Sequence, residues 1–166
     1  MLVFEDFTEH DKSFFEIKIK IWKRETDLFI HFQKQVDKNI FLKDFLAIIQ
    51  EEINWIESNK SKFEEILLEE NILELVEDIA TSAPLLECSS EECYLMSDDS
   101  IIYFPITEDD LYNSLYIEAL TINFDKNNKS NFEIFLSCNP DYLQENSFIL
   151  SMDENKNIVF NGFLND

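Results

Sequence analysis

Glycine is all but missing from this chain of 166 residues: Gly162 is the only one. Phosphate loops and dinucleotide fingerprints need several glycines for close backbone approach to a phosphate, so both are excluded. Cysteine occurs three times and histidine twice, as His10 and His31. An odd, small cysteine count argues against a secreted disulfide scaffold and for reduced thiols. No run reaches the roughly 18 apolar residues of a membrane span. The start, Met1-Leu2-Val3-Phe4-Glu5-Asp6, lacks the basic segment and apolar run of a signal peptide. The expected location is therefore the cytoplasm, with no membrane partner.

The most informative absence is of positive charge. From Phe63 to Asp125 there is no Lys, Arg or His, while the same stretch carries 17 carboxylates. The formal net charge of the whole chain is -22, so most of it is segregated into well under half of the sequence. Such a surface repels phosphate backbones and anionic lipid, which argues against direct nucleic-acid binding. Basic proteins and metal cations are its natural counterparts.

What is present is enough apolar material for one domain over residues 1–166. The hydrophobic fraction is 45%, with 16 Phe, well above a disordered profile. Phe15, Ile17, Ile19 and Ile21 alternate with polar residues as a half-buried strand, and Leu28, Ile30 and Phe32 as a second. Lys23-Arg24-Glu25-Thr26 is the expected turn of that hairpin, and residues 3–7 suggest a short strand before it. Asp37 or Asn39 caps a helix from about Ile40 to Ser58, whose stripe of Phe41, Phe45, Ile49, Ile53 and Ile56 needs covering. Each buried member of that stripe contributes roughly 1.5–3 kcal/mol. Trp55 reads as core or core edge.

Ser61-Lys62-Phe63-Glu64 has the form of a capping box and opens an expected second long helix over about 62–80. Glu65–Glu69 and Glu70–Glu74 then stand four apart, like-charge pairs that cost about a few tenths of a kcal/mol each. Residues 81–106 read as an irregular, acid-rich loop, with Ile101-Ile102-Tyr103-Phe104 as a short strand or docked apolar segment. Thr107-Glu108-Asp109-Asp110 is a further capping box and begins a short helix to Ser114. Four strands follow with short turns between them; in the first, Tyr116, Leu120, Ile122 and Phe124 mostly share a face. The expected class is α+β: a mainly antiparallel sheet, made of the N-terminal hairpin and a C-terminal four-strand meander, with two long helices and one short helix on one face.

The segments Ile106-Thr107-Glu108-Asp109-Asp110-Leu111, Leu115 to Phe124, Asn131-Phe132-Glu133-Ile134-Phe135 and Asp141-Tyr142-Leu143, with a hairpin closing at Gly162, resemble the bacterial family called domain of unknown function 2262. The order of hairpin and two helices before them is similar too. That family has no established chemistry to carry over. Its members place Gly-His before the penultimate strand, where this chain has Glu145-Asn146, so a role of that His has no counterpart here.

Four chemistries can be weighed against these residues. A zinc site needs four ligands in tighter pairs than Cys88 and Cys93, with Cys138, His10 and His31 distant in sequence. A catalytic Cys–His pair needs an orienting third group that cannot be assigned. Asp98-Asp99 and Asp109-Asp110 lack the alternation and the turn glycine of a calcium loop. Carboxylates are so abundant that no glycosidase-like pair stands out. No cofactor is expected.

The expected activity is electrostatic and non-enzymatic: an inhibitor that binds and neutralises a basic protein, with an immunity protein against a bacterial toxin, such as a nuclease, as the leading version. A phage-encoded nucleic-acid mimic acting on a defence nuclease such as a CRISPR effector uses the same physics. A carboxylate-based enzyme or metal-binding protein is the reading from another class. The expected contact residues are Glu87, Glu91, Glu92, Tyr94, Asp98 and Asp99 in the loop, Glu108, Asp109 and Tyr112 on the short helix, and Glu69 and Glu70 on the long one.

Overall fold

From the N-terminus, a 3-10 turn at Phe4–Asp6 leads into three strands, β1 (Thr8–Asp11), β2 (Phe14–Ile21) and β3 (Arg24–Phe32). The expected strand at 3–7 is thus a turn, and the strand follows it. The structure is a computed structural model that describes residues 2–87 and 92–164. Phe15, Ile17, Ile19 and Ile21 of β2 are buried while Lys18 and Lys20 face solvent, as a period of two requires. Strands β2 and β3 pair antiparallel from Phe14–His31 to Ile21–Arg24. Their turn is Trp22-Lys23, both left-handed at φ 47 and 69, which corrects the expected turn at Lys23–Thr26. Two left-handed residues match the strand twist. Trp22 is held there from the helical layer: its indole Nε1 donates to the Ile56 carbonyl at 3.0 Å and its backbone N–H to Glu57.

A helical run crosses the buried face. It comprises α1 (Lys38–Ile40), a π-helical turn at Phe41–Phe45 and α2 (Leu46–Ser58), then α3 (Lys60–Glu69) and α4 (Ile72–Ala80). Asp37 caps it, accepting from the Ile40 N–H at 3.0 Å. The expected second long helix is two helices: Asn71 sits at φ 55 and ends α3. Asparagine tolerates that conformation better than most residues. The break brings Phe63 and Leu67 of α3 and Ile72, Val76 and Ala80 of α4 into one core. Ser61 is no cap, since α3 already starts at Lys60.

Residues 81–106 are not an irregular loop throughout. They include β4 (Leu85–Leu86), β5 (Cys93–Leu95) and β6 (Ile101–Tyr103), a small antiparallel sheet. Then come α5 (Glu108–Ser114), β7 (Leu115–Phe124), β8 (Ser130–Cys138), β9 (Ser147–Asp153) and β10 (Ile158–Leu164). Thr107 caps α5 as its motif implies: its Oγ accepts from the Asp110 N–H at 3.1 Å, and Asp110 accepts from the Thr107 N–H at 3.0 Å.

The fold is α+β, with a seven-stranded sheet in the order β1-β2-β3-β7-β8-β9-β10. The sheet is mixed, where a mainly antiparallel one was expected: β3 and β7 run parallel, Asp27–Ala119 to Phe32–Phe124. The long helical connection between them permits that return in the same direction. A bulge interrupts β7 against β8, where Ile117 pairs with Leu136 and Ala119 with Phe135, leaving Glu118 extra. The bulge turns Leu115 and Ile117 inward, so Tyr116 does not share the face of Leu120, Ile122 and Phe124 as expected.

Buried side chains of the sheet, the helices and the small sheet form one core cluster. Its phenylalanines interlock. Phe32 stacks on Phe124 at 5.1 Å, and Phe45 meets both edge-on at 4.7 and 4.8 Å. Phe63 is fully buried between Trp22 and Trp55, at 5.4 and 6.3 Å. Such pairs add about 0.5–1.5 kcal/mol each beyond area burial. Among the described residues no helix is long and apolar enough to cross a membrane.

Candidate functional site

Six ion pairs occur among the described residues, and their carboxylates are those of Glu5, Glu16, Glu25, Asp27, Glu52 and Glu154. None lies between Phe63 and Asp125. The fold therefore brings no cation into an ion pair with the described carboxylates of the acidic stretch. The cations nearest to them, Lys60 beside Glu64 and Lys129 beside Asp125, act at longer range.

Two carboxylate groups emerge. The first is built by α3 and α5. Glu64 is held above the usual carboxylate range, first by burial and then by Glu108 and Asp109 from α5. Lys60 is the cation beside it. Its Nζ donates to the Leu115 carbonyl at 2.8 Å and lies 4.6 Å from the Tyr112 ring centre. Burial lowers the Lys60 pKa, against the pull of Glu64. Expected contacts Glu108 and Asp109 are exposed here, and Tyr112 is half-buried beneath Lys60. Glu69 and Glu70 are exposed at the far end of α3, about 14 Å along the axis from Lys60. The break at Asn71 also means that Glu70 and Glu74 do not share a helix.

The expected loop divides differently. Glu87 and Asp99 are exposed. Glu92 is exposed and accepts a hydrogen bond from the Tyr94 hydroxyl. Tyr94, an expected contact residue, is 7% exposed and packs on Phe104 at 4.9 Å. Asp98 ties the fold together, accepting from the Ser100 N–H at 3.0 Å and from the Asp141 N–H at 3.3 Å. Glu91 lies outside the described residues, as does Cys88.

No sequence pattern points to the second group. A cleft of about 430 Å³ opens where the β5–β6 turn meets the β8–β9 connection. Asp98, Glu118, Asp141 and Glu145 line it, with Arg24, the chain's only arginine. Ser97 Oγ and the Glu145 N–H both donate to Asp141 Oδ2, at 2.6 and 2.9 Å, and Ser147 Oγ donates to Glu118 Oε2 at 2.8 Å. Arg24 reaches none of these carboxylates as an ion pair. Its guanidinium lies 4.7 Å from the Tyr116 ring centre, and with the Asn139 amide turned to accept, Nη1 donates to it at 3.2 Å. Glu118 is the bulge residue of β7, and a bulge leaves no mark in a period-two pattern except a phase slip.

Among the described residues the cysteines and histidines do not share a site. Cys93 is disulfide-bonded, which corrects the reading of all three cysteines as reduced thiols. Cys138 is free, and burial pushes its pKa up to about 12. His10 and His31 each stack on the Phe14 ring, at 4.6 and 4.4 Å. Among the described residues no three His, Cys, Asp or Glu groups could hold a metal ion.

Comparison with protein-family models, with characterised proteins and with solved structures gave no match.

Proposed function

We propose that this protein is a non-enzymatic inhibitor that binds and neutralises a basic protein. The observation that supports it is the lack of any ion pair on the described carboxylates between Phe63 and Asp125, on a fold whose core is otherwise closely packed. Glu64 is raised first by burial and then by the like charges of Glu108 and Asp109, and like charges held together cost stability. A partner that brings lysines and arginines relieves that cost and is steered in at a salt-dependent rate. The leading version is an immunity protein that covers the basic substrate groove of a toxin nuclease in the cytoplasm. The resemblance to domain of unknown function 2262 stays part of this proposal and adds no chemistry to it.

Capture from a lysate of the native host tests the reading. The immobilised protein is expected to retain a basic protein at roughly 50 mM salt and release it at about 500 mM. The Glu64→Lys/Glu108→Lys/Asp109→Lys variant is expected to retain less than about a tenth as much. The captured protein's nuclease activity is expected to fall to zero at one equivalent of inhibitor. Retention unaffected by salt and by the triple variant rejects it.

A further inference from the structure

We propose that the outer edge of β10 pairs antiparallel with β10 of a second copy of this chain, about a two-fold axis at Asn161-Gly162. Two seven-stranded sheets then join into one. This contact is independent of the proposed inhibitor function and lies on a different surface.

The two edges of the sheet are built differently. At one end β1 has four residues, all exposed, with Glu9 and Asp11 among them. A short, charged edge resists pairing with another chain. At the other end β10 has seven residues and no ionisable side chain. Its ladder with β9 is the only set of main-chain hydrogen bonds it makes among the described residues. Val159 and Leu164 on it are 54% and 41% exposed. An uncharged edge with open main-chain groups and exposed aliphatic side chains is a template for a further strand.

The strand is also complementary to itself. Val159-Phe160-Asn161-Gly162-Phe163-Leu164 reads alike in both directions: aliphatic, phenylalanine, a central pair, phenylalanine, aliphatic. The β-bulge carries that symmetry into space. Phe160 and Phe163 pair with the buried Leu150 and Phe148, while Val159 and Leu164 pair with Ser151 and Ser147 on the opposite face. Without the extra residue at Asn161, a period of two would put Phe160 and Phe163 on opposite faces. Gly162, at φ +108, supplies the backbone that the bulge needs. A two-fold contact requires such a self-complementary surface. In the register centred on Asn161-Gly162, Val159 faces Leu164 of the second copy and Phe160 faces its Phe163, each pair on one face.

Charge selects the same occupant. Two copies of net charge -22 repel wherever their acids meet. Of the seven strands in the large sheet, β10 is the one without an ionisable side chain, so copies approach there with least repulsion. A basic protein finds no carboxylate on this strand to recognise.

An edge contact of six residues is small, so the dimer is weak and depends on concentration. Sedimentation equilibrium of the full chain from about 10 to 500 µM is expected to show the mass rising toward twice that of one copy and no further. Raising salt from about 50 to 300 mM is expected to tighten the dimer at least about threefold by screening the repulsion, the opposite of its effect on a basic partner. Val159→Lys/Leu164→Lys is expected to stay monomeric with a melting temperature within about 2 °C of the unaltered protein, because both side chains are exposed in one copy. Register is read by cross-linking. Val159→Cys mixed with Leu164→Cys is expected to give a disulfide-linked pair on oxidation with copper phenanthroline, and neither variant alone is expected to do so, because each residue lies opposite the other and not opposite itself. The mass of one copy at every concentration, a dimer that survives the lysine variant, masses that climb past two copies, or Val159→Cys linking to itself as readily as to Leu164→Cys each overturn the inference.

Discussion

The Thr26 hydroxyl donates to the Ile117 carbonyl at 2.8 Å, inside the sheet and across the one parallel junction it contains. The bulge at Glu118 takes the β7 ladder out of register, and Thr26, itself 1% exposed, meets Ile117 on the side of β3. One buried threonine thus extends the parallel ladder of β3 and β7 by a side-chain hydrogen bond, at the residue before the one that reaches the cleft.

Replacing Thr26 by Val keeps the shape and leaves a buried carbonyl without its donor. The expected cost is about 1–3 kcal/mol. Urea unfolding measures it. Because Glu118 is the next residue after Ile117, Thr26→Val is also expected to move the amide resonances of Glu118 and Ser147, while those of α4 stay in place.

Asn71 sets the break between α3 and α4 at φ 55. Asn71→Gly is expected to change stability by less than about 0.5 kcal/mol, and Asn71→Val, which cannot adopt that backbone without strain, to cost about 1–2 kcal/mol or more. Chemical denaturation of the pair of variants checks this. A stabilising Asn71→Val would mean that the two helices join.

Stability is expected to peak at mildly acidic pH. Glu64 has a raised pKa, so the folded state takes up its proton more readily than the unfolded state, and stability rises as pH falls through that range. Asp110 and Asp153 have lowered values, set first by side-chain hydrogen bonds from Thr107 and Asn157. Their contribution is present above the ordinary carboxylate value of 3.8 and is lost as pH falls through their lowered values. Calorimetric melting is therefore expected to be highest near about pH 5, lower near about pH 7 and lowest below about pH 3. Glu64→Gln is expected to raise the melting temperature at neutral pH by about 2 °C. A melting temperature that falls steadily from neutral pH downward contradicts this.

Cys138 is 2% exposed with its pKa pushed up to about 12, so its thiol is expected to resist alkylation in the folded state. Peptide mapping after iodoacetamide treatment is expected to find Cys138 unmodified in the native protein and fully modified in denaturant. Modification on the same time scale in both would place the thiol at the surface.

The strands were legible because one face of each is buried and the other is not, which prints a period of two into residues such as Ile17, Ile19 and Ile21. The cap of α5 was legible because Thr107 and Asp110 meet within four residues. What was missed depends on distance or on phase. Leu67 and Ile72 are five residues apart, about 140° around a continuous helix, and that slip marked the break at Asn71. The phase slip at Glu118 hid both the bulge and the outward turn of Tyr116. Tyr94 looked available because acids flank it in sequence, but the pairing of β5 with β6 places it against Phe104. The cleft joins Arg24, Asp98, Glu118 and Asp141, which no local pattern connects.

The central claim is that the unpaired acidic surface is used to bind a basic protein. Its most direct test is the association rate of the captured partner by surface plasmon resonance from roughly 50 to 300 mM salt. For the unaltered protein the rate is expected to fall at least about tenfold over that range, and Glu64→Lys/Glu108→Lys/Asp109→Lys is expected to slow it at least about tenfold at the low-salt end. A rate indifferent to salt and unchanged in the triple variant would contradict the claim.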